Sequence, residues 1–139
     1  MSQMPSHVRA AIHRIMIEYT NAVDTLAGAD AALANFTDDA VIDFSAVGFP
    51  KMDRTEEIRD FYASLSENMT HNFHMVANPR PVSWDGTVGV MEAYVMGMGK
   101  SKADDNILVH VKYRMEAVET ADGWKCRYLG VSPMLPAVA

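Results

Sequence analysis

A single cysteine, Cys126, leaves no partner for an intrachain disulfide and none for a CxxC metal or redox motif. Positive charge is also short: 12 Lys and Arg stand against 18 Asp and Glu in 139 residues, a net charge of −6 with neutral histidines. Phosphate neutralisation needs clustered Lys and Arg, so nucleic acid is not an expected partner. No run approaches the roughly 20 apolar residues of a membrane span. The opening MSQMPSHVRAAIHR lacks the apolar stretch of a secretory signal, which makes the cytoplasm the expected location. Glycine-rich phosphate loops are absent, and no third ligand joins the histidines at metal spacing, so neither cofactor nor metal is implied. Nothing resembling a linker, repeat or low-complexity tract divides the chain, and residues 1–139 read as one domain. A chain of this length buries roughly 68–70% of its unfolded surface and needs no covalent staple. What is abundant is methionine, 11 against 5 Phe and 2 Trp, a side chain suited to irregular packing or to varied apolar ligands.

The apolar residues Val8, Ile12, Ile15, Tyr19, Val23 and Leu26 recur in steps of three and four. They predict a helix from Ser6 to about Leu26, ended by Gly28. A short alanine-rich helix over about Ala29–Asn35 follows, then a turn at Thr37-Asp38-Asp39 and a strand over Ala40–Phe44. Asp53 and Glu56 have capping-box spacing before a helix reaching about Leu65. The second half reads as strands: Phe73–Val82 and Thr87–Met98 around Asp85-Gly86, then Ile107–Glu119 and Trp124–Val131 around Asp122-Gly123. Asp-Gly between alternating segments is a strong hairpin signal. Helices first and long antiparallel strands afterwards predict an α+β fold, with the helices packed on one face of a curved sheet.

The segments Tyr19–Asp24, Asn35–Val41, Glu57–Tyr62, Thr70–Asn78, Asp85-Gly86 and Asp122–Trp124 resemble, in order and spacing, the SnoaL-like branch of the NTF2-like superfamily. The chain is similar there to the group holding scytalone dehydratase, bile-acid 7α-dehydratase and hexachlorocyclohexane dehydrochlorinase. The resemblance covers nearly the whole chain. It implies a conical α+β barrel, with helices on a curved, antiparallel or mixed sheet that encloses one pocket. It also implies a small-molecule substrate or ligand and a homodimer or homotrimer joined through the outer face of the sheet. Such folds host lyases, isomerases, epoxide hydrolases and non-catalytic binders, so the fold alone leaves the activity open.

Three residues are candidates for catalysis. Asp24 falls in the last turn of the first helix, where the helix dipole disfavours an unpaired carboxylate. The resemblance makes it half of an Asp–His dyad. The other half is His74, which stands four residues before Asn78, as the family pattern has it. Alternation along the strand sends His71 to the opposite face. Tyr19 lies five residues before Asp24, about 140° round the helix, so the two can flank one stripe. By resemblance its phenol hydrogen-bonds a substrate oxygen.

An uninterrupted two-residue turn at Asp85-Gly86 would pair His74 with Gly97, Val76 with Val95 and Asn78 with Ala93. Partners across strands share a face. Asn78, Val76, Val95, Gly97 and Met91 are therefore expected around the substrate, while Met75, Met96 and Met98 face the other way. His110 is a further candidate, although its neighbours Lys112, Arg114 and Glu116 read as a solvated or subunit-facing surface. Gly97 stands near the place where the bile-acid dehydratase has a second carboxylate. The expected function is a cofactor-independent, dehydratase-like lyase or isomerase acting on a small, mostly apolar, cyclic substrate. The rivals are a non-catalytic binding or assembly module and an epoxide-hydrolase-type enzyme, which needs an arginine, Arg114 or Arg127, beside Asp24.

Overall fold

The computed structural model describes residues 3–138. Helix α1 (Ser6–Asp24) starts after Pro5 and buries Val8, Ile12, Ile15, Met16, Tyr19 and Val23 along one stripe. The chain leaves it through Leu26 and Gly28, both at positive φ, into α2 (Ala29–Leu33). Strand β1 (Phe36–Asp43), a 3₁₀ turn (Ser45–Val47), the two-residue β2 (Lys51–Met52) and helix α3 (Thr55–Asn68) complete the first half. Four long strands follow: β3 (Met69–Trp84), β4 (Val88–Ser101), β5 (Asn106–Thr120) and β6 (Gly123–Val138). They form one six-stranded sheet in the order β2-β1-β6-β5-β4-β3, antiparallel throughout except for the parallel pair β1–β6. This is the expected α+β cone, with the helices on the concave face.

Several elements depart from the sequence reading. Thr37-Asp38-Asp39 is not a turn before the strand but lies inside β1, whose pairing to β6 is irregular between Phe36 and Val41. The capping box does not form at α3: Arg54 is the cap residue, with no side-chain cap. Thr55 instead donates its hydroxyl to the Asp38 carbonyl at 2.9 Å, which ties the start of α3 to β1. The last strand continues well past Val131, to Val138.

The first hairpin reaches the expected register at His74 by an unexpected route. Asp85 Oδ1 accepts the Thr87 and Val88 N–H groups at 2.9 and 2.7 Å, so the turn is wider than two residues and pairing begins at Trp84 with Gly89. Two shifts along β3, between Pro81 and Ser83 and between Ala77 and Arg80, then restore His74 opposite Gly97. Pro79 and Pro81 lie in this stretch. A proline withdraws a ladder donor, which only a strand at a sheet edge, as β3 is, tolerates well.

The core lies between α1 and the inner face of β4, β5 and β6. Gly89 lets α1 come close: a Cβ there would stand 2.6 Å from Ile12 Cδ1 and 3.0 Å from Val8 Cγ1. Met91, Met115 and Leu129 line up across the strands beneath the helix, each almost wholly buried. Truncating Leu129 to Ala leaves a void that this packed layer cannot close. Chemical denaturation of Leu129→Ala is expected to read a loss of about 2–5 kcal/mol.

Candidate functional site

Asp24 is the final residue of α1, where the helix's own carbonyls make an unpaired carboxylate unfavourable. Strand β3 supplies the compensation. The His74 main-chain N–H donates to Asp24 Oδ2 at 3.0 Å, and His74 Nδ1 lies 2.5 Å from Asp24 Oδ1. A carboxylate accepts, so Nδ1 carries the proton and Nε2 is left as the free nitrogen. Two residues earlier on the same face, Asn72 donates its side-chain N–H to the Val23 carbonyl at 3.3 Å, satisfying another unpaired group of the helix end. The side chains of Asp24 and His74 are 24% and 18% exposed, enough shielding to strengthen the pair without sealing it from water.

Opposite these two polar residues, β4 carries glycines: His74 pairs with Gly97 and Asn72 with Gly99. A Cβ at Gly97 would stand 3.3 Å from His74 Cδ2 and Nε2, and one at Gly99 would stand 2.9 Å from Asn72 Oδ1. The glycines therefore leave room for the polar side chains to lean over β4. His74 and both glycines line a cavity of about 210 Å³.

That cavity is mostly apolar. Val95, Val109, Val111 and Val131 line the sheet side, and α3 contributes Phe61, Tyr62 and Leu65. Its polar groups are His74, Asn72 and three phenols, Tyr19, Tyr62 and Tyr113. The Tyr19 and Tyr62 hydroxyls are 2.7 Å apart, so one donates to the other and one O–H of the pair remains available. Burial raises all three tyrosines well above their ordinary pKa; for Tyr19 and Tyr113 the nearby Asp24 charge adds a smaller push in the same direction. They remain neutral donors at physiological pH.

The structure thus brings His74, Tyr19, Val95 and Gly97 to one cavity, with Asp24 bonded to His74 but not itself lining it, and takes four expected residues elsewhere. Asn78 sits on the interruption of β3 with φ +53° and borders a different, outer hollow with Arg80, Glu92 and Lys112. Simple alternation failed there because the register slips between Ala77 and Arg80. Met91 is on the inner face, but at the end that α1 covers, and it packs in the core rather than at the cavity. Val76 is partly buried against the same core and does not line the cavity. His110 lies on the outer face with Met75, Met96 and Leu135, its Nδ1 buried with no hydrogen-bond partner among the described residues. His71 is exposed and bonded to Thr70, 3.0 Å away. The arginines are distant in role: Arg127 pairs with Glu116 at 3.0 Å, and Arg114 approaches Glu92 at 3.8 Å.

Sequence reasoning overlooked Asn72, Tyr62 and Tyr113. Two signals could have found the tyrosines: Tyr113 alternates with Val111 and Met115 on one face of β5, and Tyr62 follows Ile58 at helical spacing. Asn72 shares its strand face with His74. Among the described residues no three His, Cys, Asp or Glu side chains come together as a metal site, and no helix is long and apolar enough to cross a membrane.

Residues 5–129 match the SnoaL-like domain family, and the chain belongs to it. A proposed aromatic ring hydroxylase from Novosphingobium aromaticivorans is 35% identical, with a TM-score of 0.94 over 98% of this chain and 95% of that one. A proposed scytalone dehydratase from the same organism shares the fold at 13% identity and TM-score 0.81, over 93% and 85% of the two chains. So does a hexachlorocyclohexane dehydrochlorinase from Novosphingobium barchaimii, at 18% identity and TM-score 0.78, over 96% and 91%. No curated protein matches the sequence. The fold is thereby that of NTF2-like proteins.

Proposed function

We propose that this chain is a cofactor-independent lyase or isomerase that uses the Asp24–His74 pair on a small, largely apolar, cyclic substrate carrying a carbonyl. One observation carries the reading: His74 Nδ1 is held at 2.5 Å by Asp24 while the same residue lines an apolar cavity. His74 Nε2 takes a proton from the carbon next to the carbonyl, acting as general base. The C–H electron pair moves onto the carbonyl oxygen, where the free O–H of the Tyr19–Tyr62 pair donates to the growing negative charge. Asp24 stabilises the imidazolium formed on His74. In an elimination the enolate then re-forms the carbonyl and expels a β-hydroxyl, which leaves as water with the proton from His74. In an isomerisation the substrate is a β,γ-unsaturated ketone, and its dienolate takes the same proton back from His74 at the γ carbon, which moves the double bond into conjugation.

Turnover tests the reading directly. The wild-type chain is incubated with ring ketones and β-hydroxy carbonyl compounds, and loss of water or migration of the double bond is followed by absorbance. Elimination or isomerisation above the uncatalysed rate is expected. Compounds that bind the cavity and are never turned over would overturn it. Such a result would favour a non-catalytic binder, the reading that Gly97 supports by standing where a second carboxylate would assist dehydration.

A homodimer or homotrimer through the outer face of the sheet belongs to the same proposal. Phe73, Met75, Tyr94, Met134 and Leu135 are each 45–55% exposed there, an apolar band that water leaves uncovered only at a cost. Sedimentation equilibrium is expected to read two or three chains; a monomer at micromolar concentration would count against it.

A further inference from the structure

The cavity shares part of its wall with a second hollow. Phe49, Phe61, Leu65 and Met69 line both the 210 Å³ cavity and a groove of about 440 Å³ along the outer side of α3. Phe49 belongs to the short segment between the 3₁₀ turn and β2, after Gly48 at φ +87°. The base of that segment is pinned, because Phe44 N–H donates to the Pro50 carbonyl and Phe49 N–H to the Phe44 carbonyl, both at 3.2 Å. The Phe49 side chain is nevertheless 44% exposed, and its ring meets Phe61 edge to face at 6.1 Å. The partition between the two hollows thus consists of these four side chains, of which Phe49 stands half in solvent. A rotamer change of such a side chain is fast and needs no movement of the pinned main chain.

The groove differs in chemistry from the cavity. Beyond the shared apolar wall it is lined by Glu57, Asp60, Ser64 and Asn68 from α3. Glu57 is engaged by Arg54 at 3.0 Å, whereas Asp60 makes no ion pair among the described residues. Asn68 donates to Ser64 Oγ at 3.0 Å, and among the described residues its side-chain carbonyl oxygen and the Ser64 hydroxyl proton have no further partner. The groove therefore offers mainly acceptors, two of them carboxylates. It suits a hydrogen-bond donor and repels an anion.

We infer that the α3 groove is a second subsite of the same binding site, reached between Phe49 and Phe61, which holds the hydroxylated tail of an elongated ligand whose apolar ring occupies the cavity. The ligand class is then an amphipathic molecule with a ring at one end and an uncharged, hydroxyl-bearing chain at the other. A carboxylate or phosphate tail is selected against. The inference rests on the cavity being a ligand site, as under Proposed function, but not on the chemistry assigned to His74.

Calorimetric titration with three probes tests it: 2-methylnaphthalene as the ring alone, 6-(2-naphthyl)hexan-1-ol and 6-(2-naphthyl)hexanoic acid. The alcohol is expected to bind at least about tenfold more tightly than the ring alone, the gain from burying roughly two methylenes. The acid should bind no better than the ring alone. Ser64→Trp, which fills the groove, should abolish the gain from the tail while leaving the affinity for 2-methylnaphthalene unchanged. Asp60→Lys, at an exposed position, should reverse the preference between alcohol and acid. A tail that adds nothing in the wild type, or a gain that survives Ser64→Trp, overturns the subsite alone. Failure of 2-methylnaphthalene itself to bind overturns the cavity reading, and the subsite with it. Binding without any turnover leaves the subsite standing and removes only the assigned chemistry.

Discussion

His74→Ala is expected to lower turnover by about 10²–10⁴-fold, the range that a positioned general base contributes. His74 donates two bonds to one carboxylate, from its ring Nδ1 at 2.5 Å and from its main-chain N–H at 3.0 Å. The main-chain bond survives the substitution, so Asp24 keeps one donor and the helix end stays anchored to β3. The variant should therefore fold, and the loss should appear in kcat rather than in probe affinity for the cavity. Asp24→Asn offers a second arm: it keeps the shape but replaces an acceptor that stabilises imidazolium with a neutral amide, and a large part of the same loss is expected. Steady-state kinetics on the best compound of the ketone panel reads both. Full turnover in His74→Ala removes the base assignment.

A steep alkaline unfolding is the second large effect. Burial raises the pKa of Tyr19, Tyr62 and Tyr113 well above their ordinary value of 10, and it raises that of the Cys126 thiol as well. A raised pKa in the folded state means that the unfolded chain releases its protons first. The stability held by these groups is complete below their unfolded pKa values. It falls as pH rises through about 9 for the thiol and about 10 for the phenols, and continues to fall until the folded values are reached. Each such group contributes about 1.4 kcal/mol per pH unit, so three phenols and one thiol together give roughly 5 kcal/mol per unit above pH 10. A domain whose total stability is about 5–15 kcal/mol cannot survive that slope for long. Urea midpoints measured between pH 8 and pH 11 should be nearly flat at first and then drop sharply. Tyr113→Phe should reduce the slope by about one group's share. A flat profile to pH 11 would mean that the phenols are not shielded from water as the structure places them.

The same burial that makes the phenols a stability liability at high pH suits them to the proposed chemistry. A tyrosine that stays protonated in an apolar cavity is a donor whose hydrogen bond strengthens as negative charge develops opposite it. The Tyr19–Tyr62 bond adds to this, since a hydroxyl that accepts from one phenol is a better donor to a third group.

Local patterning determined a good deal. The steps of three and four in Val8–Val23 set the buried face of α1, and period-two alternation placed Val95 and Gly97 on the face of His74. Both signals are written in neighbouring residues. The same logic failed wherever pairing distant in sequence decided the outcome. Asn78 left the expected face because β3 slips its register past two prolines, and the compensating wide turn at Asp85 was equally invisible. Met91 was placed on the correct face yet at the wrong end of it, because only the packing of α1 determines which half of a concave sheet is filled and which stays open. Nor could spacing have found that Asn72 and His74 would both secure the end of α1, or that Gly97 and Gly99 would lie beneath them. The scarcity of cysteine, positive charge and long apolar runs already bounded the chain to a staple-free fold with its chemistry in ordinary side chains. Where that chemistry gathers was decided by tertiary structure, because 50 residues separate Asp24 from His74 and only the docking of a helix end against an edge strand closes that distance.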